Sequence, residues 1–171
     1  MAMEIEQQIK MKVVMSDCRR YRYLYTKVWD ENKPGATVIM LNPSKADMVK
    51  LDKTVLSLTN YFVSSEFGQF KIANMYSFMC TEPKDLKYKN ELLEKVNDSF
   101  IQRACEGTDF ILIGWGSDHN KRKGRKKEVE QLLRNHSHKL KCFIDSQNKS
   151  PRHPRDIADD WRLIDYKFRY I

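Results

Sequence analysis

The chain has 171 residues, of which 41% are hydrophobic and 32% charged, a composition typical of a folded globular domain and not of a disordered chain. No apolar run approaches the roughly 20 residues that span a bilayer and no signal-peptide core follows the N-terminus, so we expect a cytoplasmic protein without membrane contact. The formal net charge of +8 favours a polyanionic partner, and nucleic acid is the commonest of these.

The four cysteines argue against a metal centre. They are far apart and form no C-x-x-C pair, whereas zinc and iron–sulfur sites usually contain a close pair. We therefore expect reduced thiols, no metal and no cofactor. The four are Cys18, Cys80, Cys105 and Cys142.

Two strands are predicted near the start of the chain. Residues 18–29 alternate in the manner of a strand, which places Arg20 and Arg22 on one face and three tyrosines on the other. A turn cluster at 30–35 leads into a short buried strand at 37–41.

The rest of the chain alternates between helical and extended patterns. Asp52 is a good N-cap for a helix that stops before Gly68, and the tail from Trp161 alternates like a strand at a sheet edge. Further elements are predicted in this order: a strand at 69–78, a helix from Leu92 to Gly107, a strand at 109–116, a helix carrying Val129, and a strand at 140–145.

These elements predict an α/β fold. Four apolar strands separated by helices indicate right-handed crossovers and a parallel sheet covered on both faces. We expect one domain over residues 1–171, a three-layer α/β/α arrangement with a central, mainly parallel four-stranded sheet and extra N-terminal strand pairing. Residues 1–15 are polar and are expected to be flexible.

Polar residues follow each predicted strand, at the edge where ligands bind in such sheets. The first strand ends in Asn42-Pro43 and the second near Asn74, while the third runs into a Gly-Trp-Gly-Ser turn. The fourth is followed by SPRHPR, which contains His153. Each feature alone has an ordinary structural explanation, but their placement together favours a functional site. Motifs for a phosphate loop, a dinucleotide fold, a nucleophile elbow and a zinc deaminase are missing.

The order of these motifs resembles the uracil-DNA glycosylase superfamily. The segments that carry the resemblance are LNPSKAD, IANMYSF, FILIGWGSDHNKRKG and SPRHP. The chain also resembles a little-characterised bacterial and mobile-element family of unknown function, through an Arg-Tyr strand, I-M-L-N-P-S followed by Asp, and P-R-H-P. Together these segments span about residues 18–155.

The resemblance implies roles in flipping a base out of DNA and excising it. Asn42 would orient the attacking water, and His153 would stabilise charge on the departing base. Asp47 either supplies the carboxylate that an amide cannot replace or only caps a turn. The residues that the resemblance places around the base are Asn74, Pro43, Ser44, Tyr76 and Phe78.

Basic residues near these loops predict contact with the backbone of single- or double-stranded DNA, although a solvated face or a sheet edge explains many such runs. They are Lys45, Lys121, Arg122, Lys123, Arg125, Arg152, Arg155, Arg20 and Arg22.

Three functions stay open on the sequence. The first is a monomeric, monofunctional DNA glycosylase that serves DNA repair. The second is a catalytically silent module that binds modified or single-stranded DNA, with a protein partner in a replication or mobile-element assembly. The third is an enzyme acting on a free nucleotide, which would not need the basic residues.

Overall fold

Seven strands form one mixed sheet, and three α-helices pack on it, in a computed structural model that describes residues 2–45 and 51–171. The strands are β1 (Lys10–Met15), β2 (Arg22–Val28), β3 (Gly35–Met40), β4 (Gln69–Asn74), β5 (Phe110–Ile113), β6 (Leu140–Ile144) and β7 (Arg162–Asp165). The helices are α1 (Lys53–Ser64), α2 (Glu91–Cys105) and α3 (Lys123–Leu132). Short 3₁₀ turns occupy Pro83–Tyr88, Arg134–Lys139 and Pro154–Asp156.

The sheet order is β1-β2-β4-β3-β5-β6-β7. β3 pairs in parallel with both β4 and β5, and β5 pairs in parallel with β6, whereas β1, β2 and β7 join in antiparallel fashion. The α/β class is confirmed, but the sheet is larger and more mixed than the predicted four-stranded one. The extra strands come from short segments, including residues 10–15, whose mixture of lysines and apolar residues gives no clear sign of their pairing with β2.

Each face of the sheet carries its own buried core, because successive strand residues point to opposite faces. Val38 and its neighbours pack against α1, whereas Ile39 and its neighbours pack against α2 and α3. α1 therefore lies on one face of the sheet and α2 and α3 lie on the other. The strands read as continuous apolar runs because both of their faces are buried.

The start of α1 confirms the predicted cap. Asp52 accepts a hydrogen bond of 2.8 Å from the backbone N–H of Val55 and so satisfies one of the free donors of the first turn. The chain then turns at Gly68, where an added Cβ would lie 1.9 Å from the carbonyl oxygen of Asp30. Only glycine allows this close approach before β4 begins.

The predicted alternation of residues 18–29 is wrong because β2 contains an irregularity. The pairing of β1 with β2 shifts between Val14 and Met15, so that two residues of β2 oppose one of β1. Tyr25 consequently packs in the α1 core, whereas Tyr23 stacks against α2. The shift leaves Arg22 on the same side of the sheet as Tyr25, with its guanidinium 6.0 Å from that ring.

Candidate functional site

A cavity of about 910 Å³ lies beyond the carboxyl ends of the central strands. The chain leaves β3 toward α1 on one face and leaves β5 toward α3 on the other, which opens a crevice between the two strand ends. Residues from four separate loops meet there, as the sequence predicted for a ligand site. The polar and aromatic lining includes Asn42, Asp52, Cys80, Ser117, His153 and Trp161.

Asn42 joins the loop after β3 to the loop after β4. Its Nδ2 donates to the carbonyl oxygens of Cys80, at 2.8 Å, and Pro43, at 3.2 Å. Both partners are acceptors, so they fix which end of the amide carries the nitrogen. The amide oxygen is then the atom that Asn42 has available for a ligand in the cavity.

Asp52 brings a carboxylate into the same cavity. Ser44 Oγ donates to Asp52 Oδ2 at 2.6 Å, while Oδ1 accepts the Val55 N–H of the helix cap. These two bonds hold the carboxylate in one orientation. The sequence showed its capping role, but nothing in the pattern indicated that the cap also lines a cavity.

His153 lies half-buried in the loop that follows β6. Burial, together with the positive charge of Arg155, lowers its pKa to about 4, and the carboxylates of Asp52 and Asp156 only partly oppose this. The imidazole is therefore neutral at pH 7. A neutral imidazole can donate one hydrogen bond to charge that develops on a ligand without carrying a charge of its own.

The loop that carries His153 is held close to the sheet. An added Cβ at Gly114 would lie 2.9 Å from Pro154 Cδ, so the glycine at the end of β5 permits this approach. The backbone oxygen of Arg155 accepts a 2.8 Å hydrogen bond from Ser57 Oγ of α1, and Lys53 pairs with Asp156. The loop, which follows a cis bond between Ser150 and Pro151, is thus anchored on both the sheet and α1.

Arg22 reaches the cavity from the irregular part of β2. Its burial lowers the pKa of the guanidinium from the usual value, and the nearby carboxylate of Asp52 opposes that change. Arg22 and Asp52 therefore form a charge-balanced wall of the cavity.

The predicted base-binding residues at the end of β4 and after it lie outside the cavity. Asn74 is 1% exposed, and its Oδ1 has no hydrogen-bond partner among the described residues. Tyr76 lies half-buried beside Arg125, 5.9 Å from its guanidinium, and Phe78 packs with Tyr21 in an aromatic cluster. These side chains do not line the described cavity, whereas Pro43 does.

The basic segment at the start of α3 is partly structural. Arg125 Nε donates to the carbonyl oxygen of Met75 at 2.7 Å, and its guanidinium pairs with Asp98 and Glu128. Lys126 is 3% exposed and donates to a backbone carbonyl oxygen of the preceding loop. Arg125, which is predicted to contact DNA, and its neighbour Lys126 thus both make contacts within the fold.

The other predicted DNA-contacting residues divide by exposure. Lys121 pairs with Asp118 at 3.2 Å, and Arg122 donates to the carbonyl oxygen of Pro83 at 3.2 Å. The exposed members are Lys45, Arg20, Lys121, Lys123 and Arg155. Arg152 is half-buried and lines the cavity together with Arg22, Lys53 and Arg155.

Two further observations concern only the part of the chain that the structure describes. Asp47 lies outside the described residues. Within them, no cluster of His, Cys, Asp and Glu side chains is arranged to hold a metal ion, and no helix has the length and apolar character needed to cross a membrane.

Comparison with known proteins now places the chain in a family. The model of a family described as "Protein of unknown function (DUF1643)" matches residues 22–155. The chain belongs to that family. The match runs from Arg22 to Arg155 and so includes the residues that line the cavity except Asp156 and Trp161, and it confirms the predicted family of unknown function. Searches of curated proteins and of solved structures find no match.

Proposed function

We propose that the chain is a DNA glycosylase that removes uracil or a related base, and that its fold is the three-layer type of the uracil-DNA glycosylase superfamily. The parallel pairing of β3 with β4 and β5, and of β5 with β6, supports the fold. The helices on both faces of the sheet support it as well.

One observation carries the functional proposal: His153, Asn42 and Asp52 line one cavity at the carboxyl edge of the sheet. Burial keeps the imidazole neutral, so that it can donate to a departing base. The amide oxygen can accept from a water molecule, and the carboxylate can accept a proton, which an amide cannot do. These three groups support the proposal, because each can serve a step in the hydrolysis of an N-glycosyl bond.

The proposed reaction begins with a base flipped out of the DNA stack into the cavity. The N-glycosyl bond breaks and its electron pair passes to the base, whose developing negative charge accepts a hydrogen bond from His153. Asn42 orients a water molecule that adds to C1′ of the sugar cation. Asp52 takes the released proton, which later reaches the base anion, so the products are an abasic site and the free base.

The exposed cations near the cavity support a DNA substrate. Arg155 lines the cavity, and Lys45 follows directly after Ser44, which also lines it. Ionic contacts with phosphates make affinity fall steeply as salt rises. A free nucleotide would not need exposed cations around the opening.

The second candidate is the silent module that binds unpaired or modified DNA, with a protein partner. Asn42 favours it, because its amide nitrogen is already engaged with the carbonyl oxygen of Cys80. A residue that ties two loops together has a structural purpose without any catalysis. Such a module would bind uracil-containing strands and leave them intact.

The test is abasic-site formation on labelled single- and double-stranded oligonucleotides that contain uracil, followed by alkaline cleavage. Wild type is compared with Asn42→Ala and His153→Ala, which change residues of the cavity. Lys127→Ala, which changes an exposed residue of α3 outside the cavity, is the matched control for a contaminating activity.

We expect cleavage by wild type and Lys127→Ala and a loss of at least 100-fold in His153→Ala. Cleavage that stays equal in all variants would indicate a contaminant or another site. Salt-dependent binding without cleavage would favour the silent module.

A further inference from the structure

Arg152 and Trp161 form a stacked pair in the wall of the cavity. The guanidinium carbon of Arg152 lies 5.0 Å from the centre of the Trp161 ring, and both residues line the cavity. The Trp161 ring also contacts Phe143 at 6.0 Å between centroids. The side chain of Arg152 is 34% exposed, and its guanidinium is covered by the Trp161 ring on the side of that contact.

The pair is fixed in place before any ligand binds. Arg152 Nη1 lies 3.4 Å from Asp145 Oδ2, and the side chain of Asp145 is only 10% exposed. Asp145 Oδ1 accepts the backbone N–H groups of Gln147 and Lys149, which orients the carboxylate. The backbone N–H of Arg152 donates to the carbonyl oxygen of Phe143 at 2.9 Å. The charge of Arg152 is thus already paired with a carboxylate, and what it offers a ligand is its planar face.

We propose that the flipped base stacks on the guanidinium of Arg152, with Trp161 supporting it from behind. Planar guanidinium groups and aromatic rings both stack on nucleobases, and such contacts are not tied to one base sequence. A phosphate would instead approach the edge of the guanidinium, where Nη1 is paired with Asp145 and Nε is buried. The stacking role rests on the proposed function, because it names the residues that hold the ring of the proposed substrate.

The pair was not predicted as a stacking site from the sequence. Arg152 was assigned to the DNA backbone, and Trp161 appeared only as the start of an edge strand. The two residues are nine positions apart and meet because the chain returns past α1 between β6 and β7. Their contact therefore depends on tertiary structure and not on a local motif.

The test compares two short single-stranded oligonucleotides that differ only in the presence of a base. One contains 2′-fluoro-2′-deoxyuridine, whose N-glycosyl bond resists cleavage, and the other carries a tetrahydrofuran abasic analogue at that position. Binding is measured by fluorescence anisotropy for wild type, Arg152→Lys and Trp161→Leu. Arg162→Lys, at an exposed position of β7, is the control for the same change of cation.

We expect wild type to bind the base-containing strand more tightly than the abasic strand. Arg152→Lys keeps the charge but loses the flat face, so it should weaken the base-containing strand by about tenfold and leave the abasic strand unchanged. Trp161→Leu should act in the same direction, and Arg162→Lys should change neither strand.

Three results would overturn the stacking role. They are equal weakening of both strands by Arg152→Lys, no weakening of either, and no preference of wild type for the base-containing strand. Because the probe is not cleaved, the assay is independent of catalysis. Arg152→Lys could weaken binding of the base-containing strand alone while wild type forms no abasic sites on ordinary uracil. That result would contradict the glycosylase activity and still support the stacking role of Arg152.

Discussion

Two basic regions of this protein look alike in sequence and differ in the structure. One is the segment 119–128, which leads into α3, and the other is the loop 151–157, which follows β6. The first contains six Arg and Lys residues and the second contains two arginines, and both regions follow a buried parallel strand. In the first, Arg125 and Lys126 turn toward carbonyl groups and carboxylates of the protein itself. In the second, Arg152 and Arg155 stay at the cavity.

The difference arises from what each region packs against. The first basic region begins a ten-residue helix whose inner face must be buried, so the cations on that face find partners inside the fold. The second contains a short 3₁₀ turn that packs against Gly114 and is hydrogen-bonded to Ser57. The arginine side chains of this loop border the cavity. A run of basic residues therefore indicates a ligand surface only where the backbone under it leaves the side chains uncovered.

The largest effect is expected when Arg125, whose guanidinium is bound within the fold, is replaced. Arg125→Met should lower the free energy of unfolding by about 3 kcal/mol, because three partners of the guanidinium lose their hydrogen bonds. Urea denaturation measures the change, with Lys127→Met at an exposed position of the same helix as the control. Unchanged stability in Arg125→Met, together with weaker DNA binding, would indicate that Arg125 contacts DNA and does not support the fold.

The second prediction concerns a substitution that displaces the loop 151–157. Gly114→Ala places a methyl group 2.9 Å from Pro154 Cδ and should cost about 2 kcal/mol of stability through overpacking. It should also slow any reaction that uses His153. Gly124→Ala is the matched control, because an added Cβ there meets no atom within 4 Å and alanine favours the helix. Equal stability of the two variants would show that the loop is not tightly seated.

The third prediction concerns pH. The pKa of His153 is about 4 in the folded protein and about 6.5 in an unfolded chain, so the unfolded chain binds more protons between these values. The free energy of unfolding should therefore fall as the pH drops from about 6.5 toward 4. Asp52, Asp156 and Arg155 are the charged groups that act on this imidazole.

His153→Gln should reduce the loss of stability at low pH. His138→Gln, at an exposed position, serves as its control. Thermal unfolding followed across the pH range measures the difference between the two variants. A steeper acid loss in His153→Gln than in wild type would contradict the burial of a neutral imidazole.

The smallest expected effect is on the salt dependence of DNA binding. Arg155→Ala should reduce the slope of log affinity against log salt by about 0.7–0.9, the contribution of one phosphate contact. Lys127→Ala should leave the slope unchanged, since that side chain lies away from the cavity. A smaller slope in Lys127→Ala and an unchanged slope in Arg155→Ala would place the DNA beside α3.

The sequence predicted those parts of the fold that depend on local patterns. The cap at Asp52 and the edge strand after Trp161 were both confirmed, because capping and alternation are read over a few residues. β1 was missed, since only pairing with β2 makes its mixed polar segment a strand. The predicted sheet face for Arg22 was wrong, because one irregular pairing in β2 reverses the alternation of side chains.

The site was predicted only in part for the same physical reason. Asn42 and Pro43 closely follow β3 and His153 lies in the loop after β6, and strand ends converge at one edge whatever the details of packing. Cys80 and Trp161 reach the cavity through loops whose course depends on tertiary contacts. No periodic pattern or motif in the sequence marks such residues.

The most direct test of the central claim is the single-turnover rate of abasic-site formation on a uracil-containing strand by wild type and Asp52→Asn. Asparagine caps a helix as well as aspartate does, so the variant should fold while losing the proton-accepting carboxylate. The account predicts that wild type forms abasic sites and that Asp52→Asn is slower by a factor of about 100 or more. An equal rate in the two proteins, or no abasic sites from wild type, would contradict a base-excising cavity at this edge of the sheet.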